Sequence, residues 1–251
     1  ASPFFEFTRE FMNLEPDAWS LRWYRQMVGI SSIGDTTVVT DKWMLGTRNS
    51  FFVGIVATLL ATALGTVAAL GLSRPHMPFK AVLMAILISP MIVPLIITAA
   101  GMFFFYSKIG LTHSYLGLIL AHTALGTPFV VITVTATLTG FDTNLIRASQ
   151  SLGADTMRTF FKVIMPLILP GVISGGLFAF ITSFDEVVIV MFIGSVEQIT
   201  IPKQMWAGLR QETSPVILCM ATCLVALSIA LLTTVEMLRR RSERLRGIKQ
   251  R

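Results

Sequence analysis

Long apolar runs separated by short polar segments dominate the chain. Each run is long enough to cross a bilayer as a helix, which takes roughly 20 residues. The five runs cover about 49–73, 79–106, 114–139, 166–193 and 215–238. Pro90 and Pro94 lie in the second run and Pro128 lies in the third, so we expect those helices to kink or break. Backbone groups freed at a break must face protein or a water-filled cavity, which makes broken spans candidates to line a pathway.

The first run is unusually rich in small residues. Small side chains let neighbouring membrane helices approach closely, so we expect tight packing along this span. The residues concerned are Gly54, Ala57, Ala61, Gly65, Ala68 and Ala69.

Residues 141–170 form the one long polar-to-amphipathic insert, with the sequence FDTNLIRASQSLGADTMRTFFKVIMPLILP. Asp142 or Thr143 can cap a helix start, because either side chain can accept from free N–H groups of the first turn. Gly153 is placed where that helix would stop, and Asp155 can cap a second helix. The pattern predicts two short helices joined by a glycine turn at a membrane surface.

Two interpretations of this insert remain open from periodicity alone. It is either an amphipathic connector resting on lipid headgroups or a knob on which a partner protein docks. Small residues at Ala148, Ser149, Ser151 and Gly153 favour the second, because they would let a partner's backbone approach the turn.

Composition excludes a soluble domain of average type. Hydrophobic residues make up 53% of the 251 residues and charged residues only 14%. We therefore predict an all-α, polytopic membrane bundle. Most of the net charge of +6 lies in residues 239–251, directly after an apolar run, which suits an anionic membrane leaflet better than nucleic acid.

Lysine and arginine placement predicts the orientation, since cytoplasmic loops carry the excess of these residues. The loop after the first run, the insert at 141–165 and the tail at 241–251 carry the basic residues and are assigned to the cytoplasm. Residues 1–46 and 194–213 are assigned to the outer side. The membrane domain is then 47–240, and five spans place residue 1 outside.

The insert resembles the cytoplasmic "EAA" loop of the membrane subunits of binding-protein-dependent ABC importers. That family has Glu-Ala-Ala, three residues, Gly, then nine residues to Ile-x-Leu-Pro; here Ala148-Ser149, Gly153 and Val163-x-Met165-Pro166 keep the spacing. The resemblance implies that the loop docks on an ATPase. Arg147 replaces the usual Glu, which puts one salt bridge to that ATPase in doubt. The implied docking residues are Arg147, Ala148, Ser149, Ser151, Leu152 and Gly153.

Two further motifs resemble the same family, over about residues 48–240. Arg48-Asn49-Ser50 is similar to the opening of its shared transmembrane domain. Ser183-Phe184-Asp185-Glu186 is similar to the Ser-Phe-Asp-Asp/Glu sequence of the branch that imports polyamines, opines and related amino-bearing solutes.

The resemblance implies the fold of a type I ABC importer permease in a bacterial inner membrane, with a sixth helix ahead of residue 1 and residues 1–46 in the periplasm. The implied partners are two ATP-binding subunits, a second permease subunit, a periplasmic solute-binding protein and the lipid bilayer. ATP and Mg²⁺ would bind the partner ATPase, and this chain would hold no cofactor or metal. The first substrate expected is a polyamine; an opine, an aminoalkylphosphonate or 4-aminobutyrate is the alternative.

Asp185 and Glu186 are the only acids well inside an apolar span. An uncompensated charge there costs about 2.5–3.5 kcal/mol on insertion scales, so such residues usually face a cavity or a partner group. One interpretation is contact with a cationic solute, helped by Phe184 or Trp206 through cation–π attraction. The other is that the two acids cap a broken helix or pair with a basic residue of a partner subunit.

Enzymatic functions find little support in the sequence. It contains no Gly-x-x-x-x-Gly-Lys-Ser/Thr, no Gly-x-Ser-x-Gly and no His-Glu-x-x-His. His76, His113 and His122 have no partner at ligand spacing, and Cys219 and Cys223 fit small buried hydrophobes. An intramembrane enzyme would need a nucleophile–base pair, and the spacing of residues along the chain points to none. The competing class is a secondary transporter or channel not driven by ATP.

Overall fold

The fold is described by a computed structural model over residues 5–6, 18–19, 21–28, 37–74, 76–142, 144–211 and 215–245. Two-residue strands β1 (Phe5–Glu6) and β2 (Ala18–Trp19) pair in antiparallel fashion, and a π-helical turn (Phe160–Ile164) joins α7 to α8. The α-helices are α1 (Arg22–Val28), α2 (Thr37–Leu72), α3 (Lys80–Ile92), α4 (Leu95–Ile109), α5 (Tyr115–Thr139), α6 (Asn144–Ser151), α7 (Thr156–Thr159), α8 (Met165–Asp185), α9 (Val188–Ile193), α10 (Ile201–Gln211) and α11 (Pro215–Leu245).

The predicted helical membrane bundle is confirmed. Among the described residues, four helical stretches are long and apolar enough to cross a membrane, and a bent pair adds a fifth crossing if both its helices belong to one span. The four stretches are Lys42–Leu72, Tyr115–Thr139, Thr156–Asp185 and Val216–Thr234.

The predicted break in the second run is confirmed between α3 and α4, whose axes differ by 103°. Val93 is extended (φ −69°, ψ 135°), as expected for a residue that precedes a proline, and Pro94 starts α4. Pro90 lies inside α3 without ending it. The bend therefore comes from the Val93–Pro94 pair.

The third run, where a kink or a break was expected, contains no break. Helix α5 continues from Tyr115 to Thr139 through Pro128, which is buried in the bundle. Neighbouring helices and Ser/Thr side chains can support the backbone around a proline in a membrane helix. Here the Thr127 hydroxyl donates to the Thr123 carbonyl in the adjoining turn, at 2.7 Å.

The boundaries of three other predicted spans also differ from the structure. The fourth run was expected to be one helix over 166–193, but α8 ends at Asp185 and α9 begins at Val188. The first spanning helix, α2, begins at Thr37, so it includes the end of segment 1–46. Helix α11 extends to Leu245 and so enters the predicted tail, whose residues 246–251 lie outside the described part of the chain.

The core is formed by close packing of α2, α5 and α8. A Cβ atom added at Gly65 would lie 2.6 Å from the Val130 Cβ, and one added at Gly126 would lie 2.9 Å from the Ala179 Cβ. Glycine is therefore required where these helices cross. Ala57, Ala61 and Ala69 of α2 are fully enclosed in the same packing. The tight packing predicted for the first run is confirmed.

Candidate docking loop and helix break

The polar insert folds as the predicted pair of short helices. The Asp142 Oδ1 accepts the Asn144 N–H at 2.9 Å at the start of α6. The Asp155 Oδ1 accepts the Arg158 N–H at 2.7 Å at the start of α7. Both caps agree with the sequence prediction, while Thr143 lies outside the described residues.

Gly153 ends α6 in the left-handed conformation, with φ 81°. Its N–H donates to the Gln150 carbonyl at 2.9 Å, and the Ala154 N–H donates to the Ser149 carbonyl at 3.1 Å. This pair of bonds is the Schellman arrangement that closes a helix at glycine. The sharp turn between α6 and α7 is therefore set by the backbone freedom of Gly153.

Ser149 differs from the other predicted docking residues because its side chain is buried. Its Oγ donates to the Ile146 carbonyl at 2.8 Å and lies 2.9 Å from the Thr159 Oγ1. The single hydroxyl hydrogen of Ser149 is then used on Ile146, which leaves Thr159 as the donor in the second bond. Ser149 thus fastens α6 to α7 from inside the loop and does not reach its outer surface.

The outer surface of the loop carries the remaining predicted docking residues. Arg147, Ala148, Ser151 and Gly153 are exposed, and Leu152 is 89% exposed. Large apolar side chains follow: Met157 on α7 is 66% exposed and Phe161 in the π-helical turn after it is 58% exposed. Apolar tips on a polar loop are typical of a protein–protein or membrane contact.

The interruption of the fourth run is organised by Glu186, which is only 7% exposed. Its Oε1 accepts the Ile189 N–H at 2.9 Å, in the first turn of α9. A carboxylate at a helix N-terminus satisfies a free N–H group and complements the helix dipole. Of the two interpretations offered for this residue, capping of a broken helix is the one observed.

The other end of α9 is closed by Lys203, a residue to which the sequence assigned no structural role. Its Nζ donates to the carbonyl oxygens of Val190, Gly194 and Ser195 at 3.1–3.3 Å. Burial lowers the pKa of the Lys203 ammonium. An acid at the N-terminus and a base at the C-terminus match the dipole of this short helix.

The four predicted pathway residues are not brought together. Phe184 is buried and packs against Phe51 and Phe180, with ring centroids 5.1 and 5.2 Å apart. Asp185 is exposed and lines a cleft of about 60 Å³ with Phe184 and the α11 residue Ser228. Trp206 is 47% exposed on α10 and does not line this cleft. Of the four predicted pathway residues, Asp185 is thus the one whose carboxylate remains exposed for contact with a ligand.

The Asn49-Ser50 pair has a role that the sequence did not reveal. The Asn49 Nδ2 donates to the carbonyls of Glu197 and Ile199, both at 2.8 Å. The Ser50 Oγ accepts the Ile201 N–H at 2.9 Å. The motif therefore fastens the segment between α9 and α10 to the start of the first span.

The described residues contain no group of three or more His, Cys, Asp and Glu side chains that could hold a metal ion.

His122 is buried in α5, where its Nδ1 lies 2.7 Å from the Ser183 Oγ on α8. This histidine joins two core helices.

Several apolar spans, one of them bent, together with a helix–turn–helix loop between the third and fourth runs define a polytopic membrane permease subunit. The chain belongs to the family of binding-protein-dependent transport system inner membrane components, whose model matches residues 28–244. It is therefore an inner-membrane permease subunit of an ABC importer, and permease subunits of this family are non-catalytic.

Two named relatives are similar to this chain over most of its length. The spermidine/putrescine transport system permease protein PotC of Haemophilus influenzae is 27% identical over 236 residues, which cover 94% of this chain and 88% of that protein. The putrescine transport system permease protein PotI of Escherichia coli is 27% identical over 220 residues, covering 82% and 73%.

Solved structures support the fold. A chain of the MetNI methionine ABC transporter in an inward-facing conformation matches with a TM-score of 0.58 and 19% identity, covering 82% of this chain and 95% of that one. A chain of a bacterial ABC transporter involved in import of the acidic polysaccharide alginate matches with a TM-score of 0.63 and 16% identity, covering 90% and 80%.

Proposed function

We propose that this permease imports a small amino-bearing cation, a polyamine in the first instance, and that ATP hydrolysis on partner subunits drives the import. Two ATP-binding subunits, each holding ATP and Mg²⁺, would press on the loop formed by α6 and α7. A second permease subunit would complete the pathway, and a periplasmic solute-binding protein would deliver the solute. The spans would then alternate between two orientations.

The observation that carries the ATP-driven mechanism is the exposed tip of the docking loop. Leu152 lies next to the left-handed Gly153 and is 89% exposed, so its side chain is free to enter a groove of a partner. The bond between Ser149 and Thr159 holds α6 against α7. A force applied at the tip would therefore pass into α8 through the helical turn that follows α7.

Support for a cationic solute comes from two independent sources. The PotC and PotI relatives are named for transport of spermidine and putrescine. In this chain Asp185 presents an exposed carboxylate at the end of α8, beside the buried ring of Phe184. A carboxylate beside aromatic carbon is a suitable environment for a primary ammonium group. Opines, aminoalkylphosphonates and 4-aminobutyrate carry such a group too.

The decisive experiment is uptake of radiolabelled spermidine into proteoliposomes that contain this permease with its second permease subunit, ATPase and solute-binding protein. We expect uptake to require ATP on the ATPase side and to be reduced by unlabelled putrescine. Uptake that continues without the ATPase would show a secondary transporter or channel. ATP-dependent uptake of another amino-bearing solute, without spermidine uptake, would keep the mechanism and reject the polyamine assignment.

A further inference from the structure

A cavity lies behind the docking loop, on the side that faces the membrane spans. Its volume is about 470 Å³, within the range of about 300–1,000 Å³ that is typical of small-molecule pockets. The ends of α2 and α5 form one wall and the α6–α7 loop forms the other. Its lining includes Leu70, Arg74, Leu138, Ile146, Phe160 and Ile164.

The cavity lies beside the ends of two spanning helices, at the side that the placement of Lys and Arg predicts to be the cytoplasmic headgroup region. Helices α2 and α5 end at Leu72 and Thr139, and both contribute lining residues from their last turns. Its wall is mainly aliphatic and aromatic carbon, which suits an acyl chain. Met157 lines it and is 66% exposed, so the cavity reaches the surface of the protein.

Charge at the mouth favours an anionic occupant. Arg74 lines the cavity and its side chain is exposed. Residues 73–80 and 140–165 together contain five Lys and Arg residues against two Asp residues and no Glu. A basic surface at the cytoplasmic face of a membrane attracts anionic lipid headgroups.

We propose that one anionic phospholipid of the cytoplasmic leaflet occupies this cavity, with an acyl chain along the apolar wall and its phosphate at Arg74. The lining includes Ile146 and Gln150 of α6 as well as Thr156 and Met157 of α7, on both sides of the Gly153 turn. The lipid therefore supports the docking loop from behind and leaves its outer surface free for a partner. Lipid occupancy goes beyond the proposed function and does not depend on which solute is transported.

The test is native mass spectrometry of the permease in complex with its ATPase, taken from nanodiscs of phosphatidylcholine with and without phosphatidylglycerol. Two variants probe the cavity: Arg74→Gln removes the charge at its mouth, and Ile146→Trp fills it. Lys80→Gln is the matched control, because Lys80 is a nearby exposed cation that does not line the cavity.

We expect the unchanged protein and Lys80→Gln to retain phosphatidylglycerol in preference to phosphatidylcholine. Arg74→Gln should lower retention about fivefold, the equivalent of one lipid-facing cation. Ile146→Trp should lower it further, and assembly with the ATPase confirms that each variant folds. Equal retention by Arg74→Gln and Lys80→Gln would overturn the proposal, as would retention only after the ATPase has been removed. Neither lipid retention nor assembly with the ATPase is measured through transport. Failure of the lipid proposal can therefore be told apart from failure of the proposed transport function.

Discussion

At the scale of single residues, Asp185 and Glu186 are adjacent acids with different environments. Glu186 is buried and bonded to the backbone of α9, whereas Asp185 is exposed beside a cleft. Asp185 is the last residue of α8 and Glu186 is already extended (φ −74°, ψ 121°), so adjacency in the chain did not imply a shared role. The burial of Glu186 depends on how α9 packs, which no local sequence pattern encodes.

We expect Asp185→Asn to weaken transport and Glu186→Gln to preserve it. The asparagine keeps the size of the side chain but loses the charge that would hold an ammonium group, so the KM for spermidine should rise about tenfold. The glutamine oxygen can still accept the Ile189 N–H. The measurement is uptake by assembled complexes in proteoliposomes. If the KM and rate are unchanged in both variants, neither acid belongs to the pathway.

The same cap gives a second prediction, this time on stability. Glu186→Ala removes the acceptor and leaves the buried Ile189 N–H unpaired, which should cost about 1–2 kcal/mol. Thermal unfolding in detergent, followed by tryptophan fluorescence, would measure the loss. Glu186→Gln is the control and should unfold close to the unchanged protein. A Glu186→Ala protein as stable as that control would contradict a capping role.

Gly153 allows a sharper test of the docking loop, because Gly140 provides a matched control. A Cβ atom at either glycine would meet nothing within 4 Å, but only Gly153 has a positive φ. Gly153→Ala should therefore strain the turn by about 1–2 kcal/mol and reduce the amount of ATPase that copurifies, while Gly140→Ala should not. Equal ATPase recovery with both variants would show that the left-handed turn at Gly153 is not needed for docking.

At the scale of elements, the crossing of α2 with α5 depends on the absence of a side chain at Gly65. Gly65→Ala would place a methyl group 2.6 Å from the Val130 Cβ, and overpacking of this kind costs about 1–3 kcal/mol. Gly71→Ala in the same helix meets no atom within 4 Å and should be neutral or slightly stabilising. Thermal unfolding of both variants distinguishes the cost of overpacking from the gain in helix propensity. Identical unfolding midpoints for the two variants would contradict the close crossing of α2 with α5.

Some helix boundaries could be predicted from the sequence and others could not. The caps at Asp142 and Asp155 and the turn at Gly153 involve residues a few positions apart, so composition and spacing were enough. The interruption after Asp185 depends on Glu186 being buried beside α9. The two acids in this run allowed a capped break as one interpretation, but hydropathy alone favoured one long span, so 166–193 was expected to be continuous.

At the scale of the whole molecule, the orientation predicted from lysine and arginine placement is open to chemical labelling. Leu152 is 89% exposed in the docking loop and Val196 is 78% exposed in the segment that Asn49 fastens. In a Cys219→Ala, Cys223→Ser background, a cysteine replacing Val196 should react with a membrane-impermeant maleimide in intact spheroplasts. One replacing Leu152 should react only after lysis, with the ATPase absent. The reverse pattern would invert the proposed arrangement.

The sequence by itself determined the membrane class, the approximate spans, the sharp turn of the docking loop and the family motifs, because hydropathy and capping act over a few neighbouring residues. Only the tertiary structure decided which acid is buried, that Ser149 faces inward, and that Lys203 closes α9. It also decided that Asn49 holds a segment about 150 positions away, a contact that depends on helices meeting in three dimensions.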